Sequence, residues 1–132
     1  MVNNDINKLR GKTAVVGLAE SGCGIANGWS AMEIMANSVH DALDDAGIKL
    51  SEVDGIFAAT AFHSMAAMSL SEYLGVKPKF ADGSQIGGSS FLSHVLTAAM
   101  ALAYCLRHYL ISLLFQHLHL IANLYFYIVQ EQ

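Results

Sequence analysis

Residues 82–102 read DGSQIGGSSFLSHVLTAAMAL, and the organisation of the whole chain can be worked out from this run. Lys79, Phe80 and Ala81 just before it start a short strand. Gly87-Gly88-Ser89-Ser90 then break the backbone, and the small and apolar residues that follow predict a helix to about Leu102. A strand, a Gly-Gly step and a helix make a place where chemistry can sit. The free N–H groups and positive end of the helix stabilise an anion or a thiolate there.

Moving upstream, strand and helix signals alternate. VDGIFAAT at 53–60 is an apolar, β-branched strand, and 65–74 is an amphipathic helix closed by Gly75-Val76. Ser30 and Glu33 stand at capping-box spacing and start a helix over 30–46. Met32, Met35, Ala36, Val39, Leu43 and Ala46 form its inward stripe, while Asn37, Asp41, Asp44 and Asp45 turn outward. Gly47 supplies the left-handed stop. TAVVGL at 13–18 is the first buried strand. The order β-α-β-α-β-α predicts parallel strands with crossover helices, a layered α/β fold.

Downstream the character changes. All 11 glycines lie between Gly11 and Gly88, and no acidic residue occurs between Asp82 and Glu131. The chain divides into an α/β part, 1–103, and an apolar tail, 104–132. Leu106, Leu110, Leu113, Leu118, Ile121, Leu124 and Ile128 are spaced in a roughly heptad manner, which predicts one long helix for the tail. The span 104–129 is long enough to cross a membrane, but Gln116, His117, His119 and Asn123 put polar groups at its centre.

The composition narrows the function. A net charge of −4, with no basic run, argues against a nucleic-acid binder. Hydrophobic residues make up 54% and charged residues 14%, enough for a core and for apolar surface that needs a partner. Cys23 and Cys105 lack zinc-ligand spacing, and residues 1–9 form no secretory segment, so inert thiols in a reducing cytoplasm are expected. Gly22-Cys23-Gly24 lacks the third glycine of a dinucleotide fingerprint and the lysine of a P-loop, and 20–29 reads as a connection. His108, His117 and His119 have no neighbouring carboxylate, and no metal is expected.

Four pieces together resemble the N-terminal half of the thiolase superfamily, in the style of the sterol-carrier-protein-type thiolases: TAVVGLAES, DALDDAGIKLSEVDGIFAAT, SLSEYLGVKPKF and DGSQIGGSSFLSHVLTAAMAL. They cover about two thirds of the chain. The resemblance implies a thiolase-like α/β half with a helical C-terminal extension and acyl transfer between coenzyme A thioesters. It also implies a homodimer and no bound metal or redox cofactor.

In that family a nucleophilic cysteine opens the helix after the third strand. Aligned on Ala98-Ala99-Met100-Ala101, its position falls on Gly88, and neither Gly88, Ser89 nor Ser90 offers a thiol. A serine would need an adjacent general base to attack a thioester. His94, at i+4 from Ser90, is the candidate base, and the alternative is that Ser89 or Ser90 caps the helix. The family also draws an acid/base histidine and a second cysteine from its C-terminal half, and no such region is read here. Nor does the tail show the turn and central strand that the family places after this helix. The expectation is a truncated or frame-shifted acyltransferase fragment, inactive alone. The alternatives are a non-catalytic acyl-CoA-binding or scaffold subunit of a partner complex, and a small protein held at a membrane by its tail.

Overall fold

The structure, a computed structural model, describes residues 11–22, 24–61, 63–104, 109–114 and 125–130. Its elements in chain order are β1 (Thr13–Val15), α1 (Ala31–Ala46), β2 (Val53–Ala59), α2 (Ala66–Leu74), β3 (Phe80–Asp82), α3 (Ser90–Tyr104), β4 (Tyr109–Leu114) and β5 (Tyr125–Gln130). A single-turn 3-10 segment leads into β2, and another, Gly87–Ser89, leads into α3.

The five strands form one sheet in the order β1-β5-β4-β2-β3. β2 runs parallel to both β3 and β4, while β5 is antiparallel to its neighbours β4 and β1. β1 therefore points the same way as β2, β3 and β4. The step from β2 to β3 passes through α2 on one face. The step from β3 back across β2 to β4 passes through α3 on the other. Reversing both the direction and the face keeps the same crossover hand, as right-handed βαβ units require.

The all-buried strand β2 separates two cores. Ile56 and Ala58 face α1 and α2, where Met35, Val39, Ala42, Leu43 and Leu70 pack. Phe57 points the opposite way, against Ala98, Ala101 and Leu102 of α3. A register shift between Val53 and Gly55 interrupts strict alternation and brings Val53 onto the α1/α2 face. At the opposite end of β2 from its exit loop, Lys79 Nζ pairs with Asp54 Oδ1 at 3.0 Å.

α1 forms where its sequence predicts. The Ser30 N–H donates to Glu33 Oε2 at 2.7 Å, and the Glu33 N–H donates to Ser30 Oγ at 3.2 Å. The Ser30 backbone N–H first, and its side chain second, hold the Glu33 carboxyl below its ordinary range. Gly47, at φ 67°, ends the helix, and the Ile48 N–H reaches back to the Leu43 carbonyl. The buried face also takes in Ile34, Ser38 and Ala42, so it is wider than the predicted stripe. Asp41, Asp44 and Asp45 are exposed as expected.

The tail departs from the sequence expectation. A helical extension is predicted from residue 104, yet 109–114 and 125–130 are strands of the same sheet, with β4 at its centre. The physical reason is an ambiguity of pattern. YLISLL is a short, nearly continuous apolar run, which suits an interior parallel strand as well as a buried helix, and periodicity cannot separate the two. Partners decided it: residues 53–59 and 125–129 supply ladders on both sides of β4. No helix among the described residues is long and apolar enough to cross a membrane. Cys23, Cys105, Arg107, His108, Gln116, His117, His119 and Asn123 lie outside the described residues, so the expectations placed on them find no counterpart here.

Candidate functional site

The chain leaves neighbouring strands β2 and β3 toward opposite faces of the sheet. Such a divergence opens a crevice at the carboxyl ends of the strands, where α/β sheets bind ligands. Here the crevice is a cleft of about 160 Å³, walled by Ala58, Met65, Met68 and Ala81, with Asp82 and Gln85 as polar groups. It is smaller than the roughly 300–1,000 Å³ of sites that enclose a drug-sized ligand, so it suits part of a molecule. Met65 and Met68, both more than half exposed, give it adaptable apolar walls.

Two contacts shape the cleft. Gln85 Nε2 donates to the carbonyls of Thr60 and His63, both at 3.2 Å, and so clamps the β3–α3 loop to the β2–α2 loop. Gly83 lies so close to β2 that a Cβ there would stand 2.5 Å from the Ala58 carbonyl oxygen. Asp82 Oδ1 accepts from the Gly83 N–H at 2.7 Å. Sequence reasoning singled out none of these residues. Gln85 lies 25 and 22 residues from its two carbonyl partners, and nothing in a single sequence marks such a contact.

Next to this cleft is the predicted chemical centre. Gly87, at φ 74°, opens the turn before α3, and Gly88 and Ser89 are exposed. Ser90 is 1% exposed, and its Oγ accepts the Ile86 N–H at 3.1 Å. His94 is 2% exposed, with Nε2 accepting the Ser84 N–H at 3.0 Å and its ring 5.6 Å from that of Phe57. With Nε2 as acceptor, the proton sits on Nδ1. Among the described residues no hydrogen bond joins Ser90 to His94. Both side chains instead hold the 84–86 loop against the start of α3. That also differs from a helix cap, because Ser90 accepts from an N–H upstream of the helix. No group of three or more metal-ligating residues gathers among the described residues.

Burial pushes the His94 imidazole below its ordinary value of 6.5, and the Asp82 charge opposes this only in part. The neutral ring is therefore the folded form. As pH falls below 6.5 the unfolded chain takes up this proton before the folded one, so stability is full above 6.5 and declines toward the lowered folded value. Denaturant midpoints measured from about pH 7.5 down to 5 should fall, and His94→Gln should flatten the part due to this ring. An unchanged slope in that variant would assign the pH dependence elsewhere.

Comparison with solved structures places this arrangement. The aldolase Ltp2-ChsH2(DUF35) matches at TM-score 0.71 and 26% identity, over 80% of this chain and 28% of that one. A cysteine-to-serine variant of Xanthomonas campestris OleA, solved with lauric acid and lauroyl-CoA bound, matches at TM-score 0.73 and 10% identity, over 90% and 56%. A monomeric SCP2-thiolase-like protein type 1 from Mycobacterium smegmatis matches at TM-score 0.64 and 18% identity, over 80% and 24%. The fold is thiolase-like. It is shared with AbyA1, a tetronic acid condensing enzyme, at TM-score 0.72 and 15% identity, and this chain spans between about a quarter and just over half the length of the first three proteins named. No protein-family model and no curated protein matches the sequence. Within the thiolase-like fold, the 84–90 loop and the start of α3 form the segment where the sequence resemblance puts the nucleophile, and Gly88 stands there.

Proposed function

We propose that this chain is a thiolase-like acyl-CoA acyltransferase fragment that does not turn over thioesters by itself. The observation that carries the reading is the state of the helix start. Gly88 has no nucleophile, Ser90 Oγ is buried and engaged by the Ile86 N–H, and His94 Nε2 is engaged by the Ser84 N–H. Acyl transfer from a thioester needs an acceptor atom and a base within reach of its proton. Ser89 is exposed but has no base among its described hydrogen-bond partners. Coenzyme A thioesters are the substrate class, supported by the lauroyl-CoA held by the OleA variant. The Met65–Met68 cleft is of a size to take a short stretch of acyl chain.

The purified chain is incubated with acetyl-CoA, and its intact mass and peptides are read by mass spectrometry. No acetyl group is expected on Ser89 or Ser90, and no coenzyme A release above the buffer rate. An adduct mapped to either serine, or sustained release, would refute the reading.

A second reading is a non-catalytic subunit that binds acyl-CoA and works only with a partner chain. The two-component name of the Ltp2-ChsH2(DUF35) aldolase, at 26% identity, favours it. Calorimetric binding of acetyl-CoA, with turnover appearing only on addition of a partner, would select this reading.

A further inference from the structure

The 84–86 loop is fastened at three consecutive residues, each time by a different group. The Ser84 N–H donates to His94 Nε2 at 3.0 Å, and the Ile86 N–H donates to Ser90 Oγ at 3.1 Å. Between them, Gln85 Nε2 reaches the Thr60 and His63 carbonyls, both at 3.2 Å. Carbonyl and hydroxyl acceptors keep their role at any ordinary pH, whereas an imidazole nitrogen loses it on taking up a proton. Of the three fastenings, only the one at His94 can be switched.

The surroundings leave a protonated ring no place. With a proton on Nε2 both ring nitrogens donate, and Nε2–H would face the Ser84 N–H, donor against donor. Nδ1 has no acceptor among the described residues, and His94 is 2% exposed, so the new charge stays buried unless the loop moves. Asp82, at the end of β3, is the charge that the ring feels, and it offsets burial only in part. From β2 the ring meets Phe57, and α3 itself carries no charged residue. β4 and β5 contribute tyrosines alone (Tyr109, Tyr125 and Tyr127), and His63 on the facing loop offers Gln85 its backbone carbonyl. Ser84 is bonded directly to Gln85, so freeing it slackens the bridge between the two loops. Asp82, Gly83 and Gln85 are one wall of the cleft.

We infer that His94 is an acid-released latch: a proton on Nε2 frees the 84–86 loop and loosens that wall of the cleft, while α1 and its core stay folded. The latch requires no thioester chemistry, so it stands or falls apart from the function proposed above.

Amide exchange on the full chain, followed by NMR from about pH 7.5 to 5 and divided by the intrinsic rate at each pH, tests this. The freed ring takes up its proton near 6.5 and the latched ring only at a lower pH. Between those values the protection of the Ser84 and Ile86 amides should fall about tenfold per pH unit, one proton for each opening. The Gln85 side-chain amide should follow them. Met35 and Val39 of α1 should stay better protected than the loop throughout, and dilute urea should speed their exchange but not the loop's. His94→Gln, whose carbonyl can accept the Ser84 N–H without titrating, should make loop protection independent of pH. Should that variant misfold, Asp82→Asn is read in its place. Loss of the neighbouring negative charge should move the fall to lower pH. Loop protection that is flat with pH in the native chain would overturn the inference. So would a fall that persists in His94→Gln or stays unmoved in Asp82→Asn, or loop and α1 amides that exchange together in urea.

Discussion

Phe57→Ala should destabilise the chain by about 3–5 kcal/mol, the usual cost of removing a fully buried aromatic ring. The side chain is wholly buried, with the Phe80 ring 5.4 Å away and the His94 ring 5.6 Å away. The fully buried apolar residues around it, Ala98, Ala101 and Leu102, include only one that is large. Alanines cannot swing into the vacated space. β2 cannot move in either, because it is hydrogen-bonded to β3 on one side and β4 on the other. Against a total stability of about 5–15 kcal/mol for a domain, that is a large share of the whole, and it brings a domain at the low end of the range to its unfolding midpoint. Urea titration followed by circular dichroism reads the loss. A change under about 1 kcal/mol would mean that the α3 side of the sheet is loosely packed and that Phe57 does not organise it.

The second large effect is expected at Gly83. Its Cα hydrogen faces the Ala58 carbonyl, and a methyl group would fall 2.5 Å from that oxygen. The obstacle is backbone within a two-sided strand, so β3 must shift away from β2. Overpacking of this kind costs about 1–3 kcal/mol. The damage has a signature beyond stability. Gly83 follows Asp82, which pairs with Phe57 at the end of the β2–β3 ladder. Gly83→Ala should therefore raise amide hydrogen exchange along β3 while leaving α1 protected. Equal protection in the two proteins, with stability within about 0.5 kcal/mol, would show that the approach relaxes freely. Because Gly83 also lines the cleft, the substitution tests whether the crevice depends on this close approach.

How much of this was legible beforehand differs from element to element. α1 was readable almost to the residue, because its start, its stop and its stripe are all local: Ser30 and Glu33 are three apart, and Gly47 follows directly. β2 was readable because a β-branched apolar run between turn residues has few other uses. The tail was not, because the run at 109–114 becomes a strand only through ladders to residues more than fifty positions upstream and about fifteen downstream. The candidate site divides the same way. The Gly-Gly step and the helix after it are visible in the residues, and so is the lack of a thiol at Gly88. That His94 points its Nε2 at the Ser84 N–H is not.

The residues alone determined where α1 begins and ends, which of its faces is wet, and that position 88 holds no nucleophile, because each depends on neighbours a few positions away. Tertiary structure decided that the tail joins the sheet, that Gln85 bridges two loops, and that Ser90 and His94 serve the loop rather than each other. Those are contacts between segments far apart in the chain. Short-range propensity leaves them degenerate, and only the competition for backbone partners and buried space resolves them.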